Sequence, residues 1–73
     1  MKLTHIDPAN NMYRFYEVHV QSTLLDAHAV VCIWGSVKSQ FHRVRMIRTN
    51  SREDAERIAD LIVQRKTRRG YHP

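Results

Sequence analysis

The side chains with the most chemical potential in this 73-residue chain lie between Cys32 and Arg48. The only Cys and the only Trp stand together in Cys32-Ile33-Trp34-Gly35-Ser36, and Lys38, His42, Arg43, Arg45 and Arg48 follow. An indole beside a residue that lets the backbone turn sharply is either a core plug or a contact platform. Arg43 and Arg45, two apart on a strand, project from one face about 6.6 Å apart, within reach of neighbouring phosphates. Such a set suggests polyanion recognition: Lys38, Arg43 and Arg45 neutralise phosphates while Trp34 stacks on a sugar or base. The bland counterpart is a solvated basic face around a half-buried indole whose N–H is bonded to a carbonyl.

Other chemistry finds little support. His28 and Cys32 share a strand face but sit about 13 Å apart, too far to hold one ion, and the remaining His residues lack ligand spacing. There is no Gly-rich phosphate loop, nucleophile elbow or His-Glu pair at helical spacing. Cys32 lies inside an apolar run, where a free thiol is inert packing. The chain therefore reads as a non-enzyme with no metal and no cofactor.

Composition agrees with a small basic binder. Twelve Lys and Arg against seven Asp and Glu give a net charge of +5. That balance suits solubility and also a polyanion partner. One Cys excludes an internal disulfide. No apolar run approaches a membrane span, and Met1-Lys2-Leu3-Thr4-His5 does not open a signal peptide, so the expectation is a cytoplasmic protein without a membrane partner. At this length one domain, residues 1–73, is expected, burying only about 60% of its unfolded surface.

The elements that must position these residues follow from periodicity. Ala29 to Ile33 is a short apolar run rich in β-branched residues, which predicts a covered strand from about His28 to Trp34. Tyr13 to Gln21 alternates, with Tyr16, Val18 and Val20 on one face and Phe15, Glu17, His19 and Gln21 on the other. A short strand near Leu3–Ile6 precedes the turn chemistry of Asp7-Pro8 and Asn10-Asn11. Ser22 to Ala27, with Leu24-Leu25-Asp26, reads as a loose connection. Phe41 to Thr49 alternates less cleanly: Val44 and Met46 oppose Arg43 and Arg45, and Ile47 falls on the charged side, a misfit that a bulge would cure.

Ser51-Arg52-Glu53-Asp54 opens a helix as a capping box with Asp in place of Glu. Ala55, Ile58, Ala59 and Ile62 follow helical spacing, Leu61 and Val63 widen the stripe, and Gly70 ends the helix with Tyr71 folding back. The basic residues from Arg65 to Arg69 complement the helix dipole. The expected fold is α+β: a small antiparallel sheet of about four strands with one C-terminal helix packed across it.

Several stretches resemble one family. Ile6-Asp7-Pro8-Ala9-Asn10-Asn11-Met12, Arg14-Phe15-Tyr16, Val20-Gln21-Ser22-Thr23-Leu24, Trp34-Gly35 and Arg68-Arg69-Gly70-Tyr71 are similar to the free-standing bacterial form of the WGR domain. The likeness covers almost the whole chain in the family's order and spacing. It implies a binding module related to one in poly(ADP-ribose) polymerases that helps bind broken DNA. By resemblance, Trp34 matches the residue that packs on sugar at a strand end, and Arg45 falls where relatives often have a basic residue near nucleic acid. The chain also departs from the pattern. Ser36 replaces the motif's Arg, the following turn Val37-Lys38-Ser39-Gln40 has no Gly, and Cys32-Ile33 are apolar where relatives often carry charge.

Two functions follow as expectations. The first is a nucleic-acid-binding module for DNA backbone or ends, without base specificity, using Trp34, Gly35, Ser36, Lys38, Arg43 and Arg45. The second is a protein-interaction or self-associating adaptor, a possible homodimer, docking through an apolar surface at Cys32 and Ile33.

Overall fold

A computed structural model describes residues 1–23 and 28–73. The expected Leu24-Leu25-Asp26 connection lies outside the described residues. Four strands, β1 (Lys2–Asp7), β2 (Met12–Ser22), β3 (His28–Ser36) and β4 (His42–Thr49), precede one helix, α1 (Arg52–Arg68). The strands pair in chain order β1-β2-β3-β4, every neighbour antiparallel. The expected sheet-then-helix architecture is what the chain adopts.

Register fixes the faces. Tyr16 pairs with Trp34 and Trp34 with Arg43; Val18 with Cys32 and Cys32 with Arg45; Val20 with Val30 and Val30 with Ile47. Residues directly opposite one another share a face, so these three rows all point to the same side of the sheet. On that side Val18, Val30 and Cys32 meet Ala55 of α1 in the buried core, with Tyr16, Ile47, Ile58, Ile62 and others packed around them.

Two expectations about faces change. Ile47 is no misfit, because the β3–β4 register runs unbroken and needs no bulge. Ile47 packs in the core beneath the helix, whereas Arg45 and Arg43 on the same face are exposed. Polarity thus changes along one face of β4 as the strand leaves the helix's cover. Phe15 does lie on the opposite face with Glu17 and His19, yet only 4% of it is exposed. It packs across Gly35, with the His42 ring edge-on at 4.8 Å and the Lys2 ammonium 5.4 Å from its centroid. A Cβ at Gly35 would stand 3.1 Å from the Phe41 carbonyl oxygen and 3.5 Å from the Phe15 ring, so glycine permits this close layering.

The helix begins and ends as its sequence dictates. The Ser51 hydroxyl accepts the Asp54 N–H at 3.1 Å, and Arg52–Glu56 and Asp54–Arg57 pairs support the exposed first turns. At the far end Gly70 is left-handed (φ +99°) and the Tyr71 N–H returns to the Lys66 carbonyl at 3.0 Å. Tyr71 is thereby buried beside His5 and Tyr16. Past it, His72 exchanges both backbone hydrogen bonds with Thr4, at 2.7 and 2.8 Å, on the outer side of β1.

Gly70→Ala combines an unfavourable φ with a Cβ placed 2.9 Å from the His5 ring. It is expected to cost about 1–2 kcal/mol, measured by chemical denaturation, more than a left-handed φ alone costs an alanine.

Candidate nucleic-acid interface

Helix α1 starts beside the end of β4 and crosses to the β1–β2 side, where Lys66 and Tyr71 rest on Tyr16. The start of β4 and the end of β3 are left uncovered. There a cleft of about 560 Å³ opens, whose charged and aromatic walls include Arg14, Tyr16, Trp34, Arg43, Lys66 and Tyr71. No carboxylate lines it.

Trp34 is half-buried in this cleft. Tyr16 stacks on one side of its indole, with centroids 5.6 Å apart and planes 17° from parallel. Among the described residues no other ring or cation packs against the indole, which also rests against the core cluster. The indole N–H makes no hydrogen bond there, and no buried side-chain nitrogen or oxygen lacks a partner, so this donor is open to water. The indole is half-buried as the bland reading has it, but its N–H is not bonded to a carbonyl. Beneath the stack, the Lys66 ammonium lies 4.4 Å from the Tyr16 centroid. From Lys66 through Tyr16 to Trp34 and across to Arg43, cation, ring, ring and cation follow one another.

Ser36 and Gly35 also line the cleft. The Ser36 hydroxyl accepts the Lys38 N–H at 3.2 Å, its carbonyl accepts the Ser39 N–H at 3.2 Å, and the Ser39 hydroxyl accepts the Phe41 N–H at 3.1 Å. Two serine hydroxyls thus close the β3–β4 turn in place of glycine. Arg14 pairs in register with Ser36. A guanidinium therefore reaches the cleft from the neighbouring strand although position 36 supplies none.

Of the residues the sequence singles out, Trp34, Gly35, Ser36 and Arg43 come together. Arg45 lies one pair further along and lines an adjoining groove of about 410 Å³ between β4 and α1. Lys38 is elsewhere: its ammonium sits 3.6 Å from the centroid of Tyr13, on the face opposite the helix. Cys32 and Ile33 do not form one surface. Cys32 is 1% exposed beneath α1, while Ile33 is half-buried on the other face, paired with Glu17 and Val44. Consecutive strand residues point to opposite sides, which is the physical reason. Sequence reasoning missed Arg14, Lys66 and Tyr71. Arg14 shares the parity of Tyr16 and was accessible to the alternation argument; the other two depend on where the helix ends.

Burial raises the Tyr16 phenol well above its ordinary value, helped by its hydrogen bond to the Cys32 thiol. Burial also lowers the Lys66 ammonium, reinforced by repulsion from Arg69. Among the described residues no three His, Cys, Asp or Glu side chains could hold a metal ion, and no helix is long and apolar enough to cross a membrane.

The four-strand meander, its single helix and an open aromatic–basic cleft define a small α+β binding module. Over residues 1–73 the chain matches the WGR domain, and it belongs to that family. WGR domains are known in poly(ADP-ribose) polymerases as DNA-binding modules, and the match spans all 73 residues, leaving no room in them for a catalytic domain. No curated protein and no solved structure matches the chain.

The raised Tyr16 pKa fixes a sign. Below pH of about 10 the phenol is neutral in both states, and above it the unfolded state loses the proton while the folded state keeps it. Stability is therefore lost as pH rises beyond about 10. Tyr16→Phe should make the fall between pH 9 and pH 11, followed by urea denaturation, shallower than in the parent.

Proposed function

We propose that this chain is a single-domain, non-catalytic module that binds DNA through backbone and strand ends, without base specificity, in the cytoplasm. The supporting observation is the indole of Trp34, half-buried, stacked on Tyr16 and lining an open cleft with Arg14, Arg43 and Lys66 and no carboxylate. The Trp34 indole packs on a terminal sugar or base. Arg43 and Arg14 take phosphates from the two sides of the ring, and Arg45 continues the basic track along β4. Arg14 supplies the guanidinium that Ser36 does not. Gly35 and Ser36 shape the wall beside the ring, and Lys38 lies outside the contact surface.

Binding dominated by phosphates weakens with salt. Three cations in the cleft give an expected log–log slope of about −3. Trp34→Ala should weaken binding to blunt or nicked ends by about 1–3 kcal/mol and leave closed circular DNA much less affected. Mobility-shift titrations at two salt concentrations measure both. A flat salt response would overturn the electrostatic part, and equal loss on ends and circles would overturn the stacking part.

A further inference from the structure

A second surface lies beside the cleft and is built differently. β4 is the last strand of the sheet, runs eight residues without proline or bulge, and pairs only with β3. Alternate backbone amides and carbonyls of its outer side have no strand to bond. Alongside it runs the groove between β4 and α1, with Ile47, Ile58 and Leu61 in its apolar wall and Arg45, Arg65, Arg69 and the shared Lys66 as its charges. No acidic residue lines this groove, and among the described residues none of those three Arg side chains is in an ion pair. On the other face of the same strand Val44 and Met46 are 63% and 51% exposed.

We propose that β4 and this groove receive an extended acidic peptide segment of a partner protein, added antiparallel as a fifth strand. Charge and register together specify the occupant. Arg43, Arg45 and Arg48 along the edge call for carboxylates opposite them, and Ile47, Met46 and Val44 call for apolar side chains. A second copy of this chain is the wrong occupant: its β4, His42–Thr49, carries no carboxylate, so it would bring further guanidinium groups to this edge and neutralise none. Main-chain hydrogen bonds supply affinity, and the alternation of charge with apolar contact supplies selection.

The test uses the synthetic peptide Thr-Glu-Val-Val-Glu-Val-Glu, which places Glu opposite Arg48, Arg45 and Arg43 in an antiparallel register. Its control, Thr-Val-Glu-Glu-Val-Glu-Val, has the same composition with acids opposite Ile47, Met46 and Val44. Binding of the first peptide, tighter than the second by about tenfold or more, is expected. Alternate amides of β4 should gain protection from hydrogen exchange, a signature that DNA in the cleft does not produce. Leu61→Glu, at a site 46% exposed, should weaken peptide binding about tenfold while circular dichroism stays as in the parent. Equal binding of the two peptides, binding without protection of β4, no binding at all, or concentration-dependent dimers that exclude the peptide would each overturn the proposal. Loss of DNA binding by Trp34→Ala bears only on the cleft, so the two readings fail separately.

Discussion

One helix is too narrow for the sheet it must cover. An α-helix is about 10 Å across with its side chains, whereas four strands spaced about 4.8 Å apart place the outer two about 14 Å from each other. With only α1 available, part of the helix-side face stays in water, and the diagonal course of the helix decides which part. The core concentrates on β2 and β3, where Val18, Val30 and Cys32 meet Ala55. What remains is the corner formed by the end of β3 and the start of β4, and that corner carries the indole and the guanidinium groups.

The sequence of β4 matches this constraint residue by residue. On its helix side the strand reads Ile47, Arg45, Arg43, passing from the core to the groove to the open cleft. An apolar residue at position 43 would lie exposed, and an arginine at position 47 would be a buried charge without a partner. The aromatic stack answers the same need on β2 and β3. Tyr16 and Trp34 are large enough to shield the end of the core while still presenting a polar rim, and the Lys66 ammonium sits over the Tyr16 ring.

Much of this was legible without coordinates, because two simple periods govern the chain. Alternation correctly paired Tyr16 with Val18 and Val20, and the helical spacing of Ala55, Ile58, Ala59 and Ile62 defined the buried stripe. Capping chemistry located Ser51 and Gly70. Convergence was not legible. Whether Arg14 meets Trp34, or whether Lys66 reaches Tyr16, depends on strand register and on the angle of the helix, neither of which leaves a local mark. Lys38 shows the limit well: four residues after Trp34 in sequence, it sits on the opposite face because the turn reverses the strand between them. Ile47 was misjudged for the converse reason, since a face can change polarity along its length when its cover ends.

The exchange of hydrogen bonds between Thr4 and His72 has a further meaning for assembly. It occupies the middle of β1 on its outer side, so the sheet has one margin blocked by the chain's own tail and one margin free. A sheet with two free margins can recruit copies indefinitely and grow into fibres; a sheet with one accepts a single addition and then stops. The small C-terminal clasp thus guards the β1 margin against open-ended edge-to-edge growth.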